Sequence, residues 1–204
     1  MTRRSGRSQK PQSKIARRRS LRVYTEGKRT EVLYLQHWHR LFRDQVLVTI
    51  DEFHGTPLPL VREAAKRKRE DERDQRRGRG DAFDEYWCMF DVDEHPGLTA
   101  AMVMAGANGI NIAVSNPCLE LWFMLHFQDQ YAAIDRKVAQ TIAATQLNCG
   151  KVLSPHALQH LEEQYELAVE RAQKLDSKHE GDGSPEGSNP SSSVWRLVNR
   201  IRSQ

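Results

Sequence analysis

Residues 84–93 read Asp-Glu-Tyr-Trp-Cys-Met-Phe-Asp-Val-Asp, and their reading decides the fold class. After two acids the stretch is apolar without alternation up to Asp91. That is the pattern of a strand buried on both faces, as in a parallel sheet. It runs directly into Asp91-Val92-Asp93-Glu94-His95-Pro96, an acidic strand end. Upstream, Leu21–Thr25 is a β-branched and aromatic run that stops at the turn Glu26-Gly27. Thr30 to Arg43 has helical periodicity, with Leu33/Tyr34, Trp38 and Leu41/Phe42 on one face, and Val46–Ile50 is a second strand. Pro57 and Pro59 introduce a heavily charged helix from about Leu60 to Arg77, closed by Gly78-Arg79-Gly80. Downstream, Leu98–Ala107 predicts a helix and Gly109–Ser115 a fourth strand. Asn116-Pro117 opens another helix, with Ser115 or Asn116 as cap and Pro117 in the first turn. This alternation predicts an α/β fold over residues 21–130: a mainly parallel four-stranded sheet flanked by helices.

Residues 131–204 are expected to form a helical C-terminal part. Helices are predicted over Ala133–Gln146, Ser154–Leu175 and Val194–Ile201, with a flexible Gly/Ser/Pro segment at 181–193. The chain has 204 residues and a net charge of +4, which hides an asymmetry. Nine of the 31 Lys and Arg fall in residues 1–22, which hold no acid, so the remainder carries 22 basic against 27 acidic side chains. Residues 1–20 therefore read as a disordered basic arm. Arg17, Arg18 and Arg19 attract phosphates without regard to sequence, or the arm serves only as a solubilising tail. Cys88, Cys118 and Cys149 are odd in number and form no CxxC pair, so a disulfide framework is not expected. The longest near-apolar stretches are far shorter than the ~20 residues of a membrane span, and no apolar run follows the basic N-terminus. The expectation is a soluble, cytoplasmic protein with no membrane partner.

In an open parallel sheet, ligands bind beyond the carboxyl ends of the strands. Glu26 follows the first strand, Asp91 and Asp93 follow the third, and Glu120 begins the helix after the fourth. Two carboxylates at i and i+2 on a strand end repel each other, and a hard divalent cation, Mg²⁺ or Mn²⁺, relieves the repulsion. The bland alternative is a pair of solvated acids. Glu26 completes such a metal shell, acts as general acid/base, or answers a helix dipole. Lys28 and Arg29 follow it and suit a phosphate. His95 is a proton carrier or a group behind the metal ligands, or else a turn residue. Leu119, Trp122, Phe123, Leu125 and Phe127 read as core, His126 as a hydrogen-bonded core histidine and Cys118 as a buried thiol. GxxxxGK[ST], GxGxxG, GxSxG and HExxH motifs do not occur.

Four blocks carry a resemblance: residues 23–31 with Tyr34, residues 90–96, residues 115–127, and Asn189-Pro190-Ser191-Ser192. In this order they resemble the RloB-like family, small proteins encoded within restriction–modification and other phage-defence loci. RloB-like proteins in turn look like relatives of the Toprim fold, which has a glutamate after its first strand and a DxD after its third. The resemblance implies a Toprim-like core and Mg²⁺-dependent phosphodiester chemistry on DNA or RNA. It makes Glu26 the general acid/base, Asp91 and Asp93 the metal ligands, and Glu120 an extra carboxylate nearby. It also implies a separate ATPase partner. Two functions are therefore expected: a metal-dependent nuclease of an anti-phage or abortive-infection system, or a non-catalytic nucleic-acid-binding or sensor subunit of one. Oligomerisation is left open.

Overall fold

A computed structural model describes residues 17–92, 97–150, 152–185 and 187–203. Strands β1 (Arg19–Thr25), β2 (Val46–Ile50), β3 (Glu85–Asp91) and β4 (Asn111–Asn116) are all parallel, in the order β2-β1-β3-β4. The expected sheet had four strands, and the structure adds a fifth. β5 (Ser191–Ser192) pairs antiparallel with the end of β4, where Ser115 Oγ and Ser192 Oγ share a hydrogen bond of 2.8 Å. The Ser193 N–H donates to the Val114 carbonyl at 2.8 Å, and Ser193 Oγ accepts from the Val114 N–H. Two serines have neither alternation nor β-branching, so this strand lay inside the segment expected to be flexible.

β1 begins at Arg19, inside the stretch expected to be a disordered arm. Gly109, expected to start a strand, ends a helix instead: its φ of 61° gives the left-handed turn that closes a helix without a Cβ clash. The first strand of each crossover sets the layers. Helix α1 (Thr30–Phe42) links β1 to β2 and buries Tyr34, Leu35 and Trp38. Leu41, expected on that buried face, is 44% exposed. Helices α2 (Pro57–Arg76) and α3 (Leu98–Asn108) carry the chain to β3 and β4 and cover the opposite face. The apolar run in β3 is buried on both sides, with Trp87 and Met89 in one core cluster and Tyr86, Cys88 and Phe90 in the other.

Helices α4 (Leu119–Met124), α5 (Arg136–Leu147), α6 (Pro155–Glu163), α7 (Tyr165–Gly181) and α8 (Val194–Arg202) join α1 on its face of the sheet. The single helix expected over Ser154–Leu175 is two. The break falls at Gln164, just before Tyr165, whose ring lies 4.8 Å from Trp38 and whose hydroxyl is 3.1 Å from the Trp195 carbonyl. Leu21 and Val23 of β1 share one apolar cluster with Leu161 of α6, Ala172 of α7 and Val194, Leu197, Val198 and Ile201 of α8. The C-terminal helices thus complete the core of the sheet. Among the described residues, no helix is long and apolar enough to cross a membrane.

Candidate functional site

The chain leaves β1 through α1 toward one edge of the sheet, and leaves β3 through α3 toward the other. The carboxyl ends of these adjacent strands therefore diverge and open a crevice, the usual place for a ligand in an open α/β sheet. Glu26 and Asp91 sit there. The Glu26 N–H continues the ladder to the Met89 carbonyl (3.0 Å), and the Asp91 N–H donates back to Glu26 Oε2 (3.2 Å). Asp91 Oδ1 accepts the Leu119 N–H at 2.9 Å, and Oδ2 pairs with Arg136 Nη2 at 2.8 Å. Asp91 thereby caps α4 from a neighbouring strand. This corrects the expected start of that helix: Pro117 precedes it after a cis bond, and Cys118 occupies the cap position.

Three more carboxylates crowd Asp91. Burial pushes its pKa up to about 8; Arg136 opposes the shift, and the charges of Glu120, Glu31 and Glu26 reinforce it. Glu31 is raised as well, by burial first and then by Glu26 and Glu120, against the hydrogen bond it accepts from Gly27. That bond, Gly27 N–H to Glu31 Oε1 at 2.9 Å, folds the turn between β1 and α1 over its own helix start. Glu31, Asp91 and Glu120 line a cleft of about 940 Å³ whose far wall is α5, with Arg136 and Lys137 at its head.

The structure brings together Glu26, Asp91 and Glu120 of the expected site residues. Lys28 and Arg29 are exposed and lie in sequence between Gly27 and Thr30, which line the cleft. Asp93 and His95 lie outside the described residues. Arg17, Arg18 and Arg19 stand at the opposite end of β1, ~20 Å away for a strand of this length. There Arg17 reaches the Ala82 carbonyl, Arg18 the Arg43 carbonyl and Arg19 the end of α8. They do not join Lys28 and Arg29 in one basic patch. His126 is 2% exposed, and its Nδ1–H donates to the Trp122 carbonyl, as expected of a core histidine. Cys118 is buried, and burial raises its thiol pKa.

Three contributors were missed. Glu31 lay in the first quoted block, and its acid in the first turn of a helix was a usable signal. Arg136 left no such trace, and Asn189 lay in the fourth quoted block, where nothing marked the partner it meets. The Asn189 side chain accepts from the Ile134 N–H (3.0 Å) and donates to the Ile134 carbonyl (2.9 Å), which pins the loop entering α5. Asp135 then caps α5, and Arg136 is its first residue. A fourth group, His54, donates from Nδ1 to the Thr25 carbonyl (3.0 Å) beside Glu26.

The donor set suits a hard divalent cation in kind, being anionic, all-oxygen and partly desolvated. As placed, no group of three or more His, Cys, Asp or Glu among the described residues is close enough to hold an ion. Arg136 holds the Asp91 oxygen that such an ion would take.

The model of the RloB-like protein family matches residues 21–201. The chain belongs to the RloB-like family. No curated protein matches the sequence. In this RloB-like chain the described residues of the four sequence blocks converge on one region: two at the ends of β1 and β3, one as α4, and one pinning the entry to α5.

Proposed function

We propose that this RloB-like protein is a divalent-metal-dependent nuclease with a Toprim-like arrangement of carboxylates, acting on DNA or RNA in an anti-phage system with a separate ATPase. One observation carries the reading: the buried Asp91 carboxylate at the divergence of β1 and β3, crowded by Glu26, Glu31 and Glu120 and answered by Arg136. A carboxylate kept only to cap a helix needs no such company. The cluster stores negative charge that a divalent cation relieves.

Asp91 and Asp93 would hold Mg²⁺ or Mn²⁺, with Glu26 and Glu120 beside them. When bound, the cation supplies Lewis acidity and lowers the pKa of its water. Glu26 is held by the Asp91 amide and moves a proton to or from a reacting oxygen; His95 is the second proton carrier. Lys28 and Arg29 of the turn neutralise phosphate oxygens. The second reading, a non-catalytic nucleic-acid-binding or sensor subunit, draws on the two protein donors that already satisfy Asp91.

The test incubates supercoiled DNA, and separately total tRNA, with Mg²⁺, Mn²⁺ or EDTA, using wild type, Asp91→Asn and Glu26→Gln, with and without the ATPase. Cleavage is expected to need metal and to fall by roughly 100-fold or more in both variants, while their melting stays cooperative. Cleavage that persists in EDTA, or in Asp91→Asn, overturns the metal mechanism. Tight binding without cleavage, with the ATPase present, favours the second reading.

A further inference from the structure

The outer face of helix α2 takes no part in the candidate site. Its apolar side chains Leu60, Val61, Ala64 and Ala65 are buried against the sheet. On the opposite side, Arg62, Lys66, Arg69, Arg73 and Arg76 follow one another at steps of four, three, four and three residues, which places them on one stripe. All five are exposed, and the stripe is ~21 Å long at the rise of an α-helix. The acids of α2 stand beside the stripe. Asp71 turns inward to Arg22 and the Tyr86 hydroxyl, Glu72 pairs with Lys68, and Glu70 pairs with Arg67. Glu63 reaches Lys66 at 3.6 Å. Arg69 donates to the Asn108 side chain and Arg76 to the Glu72 carbonyl, whereas Arg62 and Arg73 pair with no described residue. Like charges three and four residues apart destabilise a helix, and a face kept only for solubility alternates its signs. This one does not, in a chain whose residues beyond Arg22 hold 22 basic and 27 acidic side chains.

We infer that the α2 stripe is a track for the phosphate backbone of a nucleic-acid duplex, separate from the carboxylate crevice and needing no metal. α2 leaves the carboxyl end of β2 and leads back to the amino end of β3, on the face of the sheet away from α1 and α5. The stripe therefore runs from the crevice end of the sheet toward the end where Arg17 donates to the Ala82 carbonyl. A duplex carries on the order of ten phosphates over ~21 Å, and guanidinium forks fit phosphate oxygens. The stripe holds no aromatic ring on which the bases of a single strand would stack. The buried apolar residues of α2 cannot enter a bilayer as those of an interfacial helix do. Contacts of this kind bind without reading sequence. The inference goes beyond the nuclease reading and does not depend on it.

The test measures binding to the full chain by fluorescence anisotropy in EDTA, from roughly 50 to 200 mM salt. The probes are a DNA duplex of about 30 base pairs, an RNA duplex and a DNA single strand of the same sequence, and phosphatidylserine vesicles. Arg62→Gln/Arg69→Gln/Arg73→Gln is expected to lose duplex affinity by roughly tenfold to a hundredfold at the low-salt end, with a salt dependence shallower by about two to three counterions. Arg40→Gln/Arg43→Gln/Lys174→Gln removes as much charge from exposed positions off the stripe and should stay within about threefold of wild type. Arg62→Gln/Arg73→Gln breaks no printed bond within the fold and carries the comparison should the triple variant fold poorly. The stronger of the two duplexes, DNA or RNA, is the one the track holds. Undiminished duplex binding by the stripe variants, or an equal loss in the off-stripe variant, overturns the inference. So does a wild type that binds no duplex, or that binds the single strand as tightly. Loss of vesicle binding in the stripe variants with duplex binding intact overturns it in favour of a membrane surface. Each of these failures leaves the metal-dependent reading standing, because Asp91 and Glu26 are untouched in every variant.

Discussion

Gly27 shows how tightly one residue is constrained. A Cβ there would lie 2.5 Å from Glu31 Oε1 and 2.7 Å from Glu31 Cδ, so any side chain expels the carboxylate that folds the turn. Gly27→Ala is expected to cost about 1–3 kcal/mol through the lost hydrogen bond and the displaced acid, read as a lower melting temperature. A melt equal to wild type would show that Glu31 repacks freely. His126 makes the pH prediction at this scale. Burial lowers its pKa to about 3, whereas the unfolded chain takes up this proton near pH ~6.5. The folded state binds the proton less readily, so the stability present above ~6.5 is lost as pH falls toward 3, by at most ~1.4 kcal/mol per unit. Denaturant melts at pH 7 and pH 5 should show this loss in wild type and a smaller one in His126→Leu. Equal losses would mean that another group sets the slope.

At the scale of elements, helix ends are settled by partners far away in the chain. Sequence rules placed Asn116-Pro117 at the start of α4, yet its first amide is taken by Asp91 from β3. By contrast Ser154 caps its own helix: its Oγ accepts the Ala157 N–H at 3.1 Å. The difference is reach: a serine cap closes over three residues, whereas the Asp91 cap closes over 28. The Asn189 clamp spans 55 residues. Asn189→Ala should cost about 1–3 kcal/mol for two lost hydrogen bonds to buried main chain. It should also speed amide exchange at residues 134–137, the route by which Arg136 is positioned. Unchanged exchange there would sever Asn189 from the site.

At the scale of the whole molecule, the N-terminal α/β half does not own its core. Trp122 Nε1–H donates to the Tyr34 hydroxyl at 2.7 Å, Tyr165 packs on Trp38, and α8 buries Val194, Leu197, Val198 and Ile201 against the same face. Leu197→Ala is expected to cost about 2–5 kcal/mol, as for other fully buried leucines. A fragment ending at residue 130 should show no cooperative melt, because one face of its sheet would lie bare. A cooperative melt of that fragment would make the C-terminal helices a dispensable layer.

Period and run length determined the strands β1 to β4, their parallel arrangement and the acids that follow them. Those signals are local: a strand buried on both faces has to be apolar throughout, and a crossover helix has to show a 3.6-residue period. Glu26 and Asp91 could therefore be placed at strand ends before any contact was known. The tertiary structure alone decided that Arg136 answers them and that Asn189 holds Arg136 in place. It also separated Arg17–Arg19 from the turn where Lys28 and Arg29 stand. Such pairings are made across 45 or 55 residues by chain segments that meet only when the core closes, and a lone arginine or asparagine carries no periodic mark of the partner it will meet.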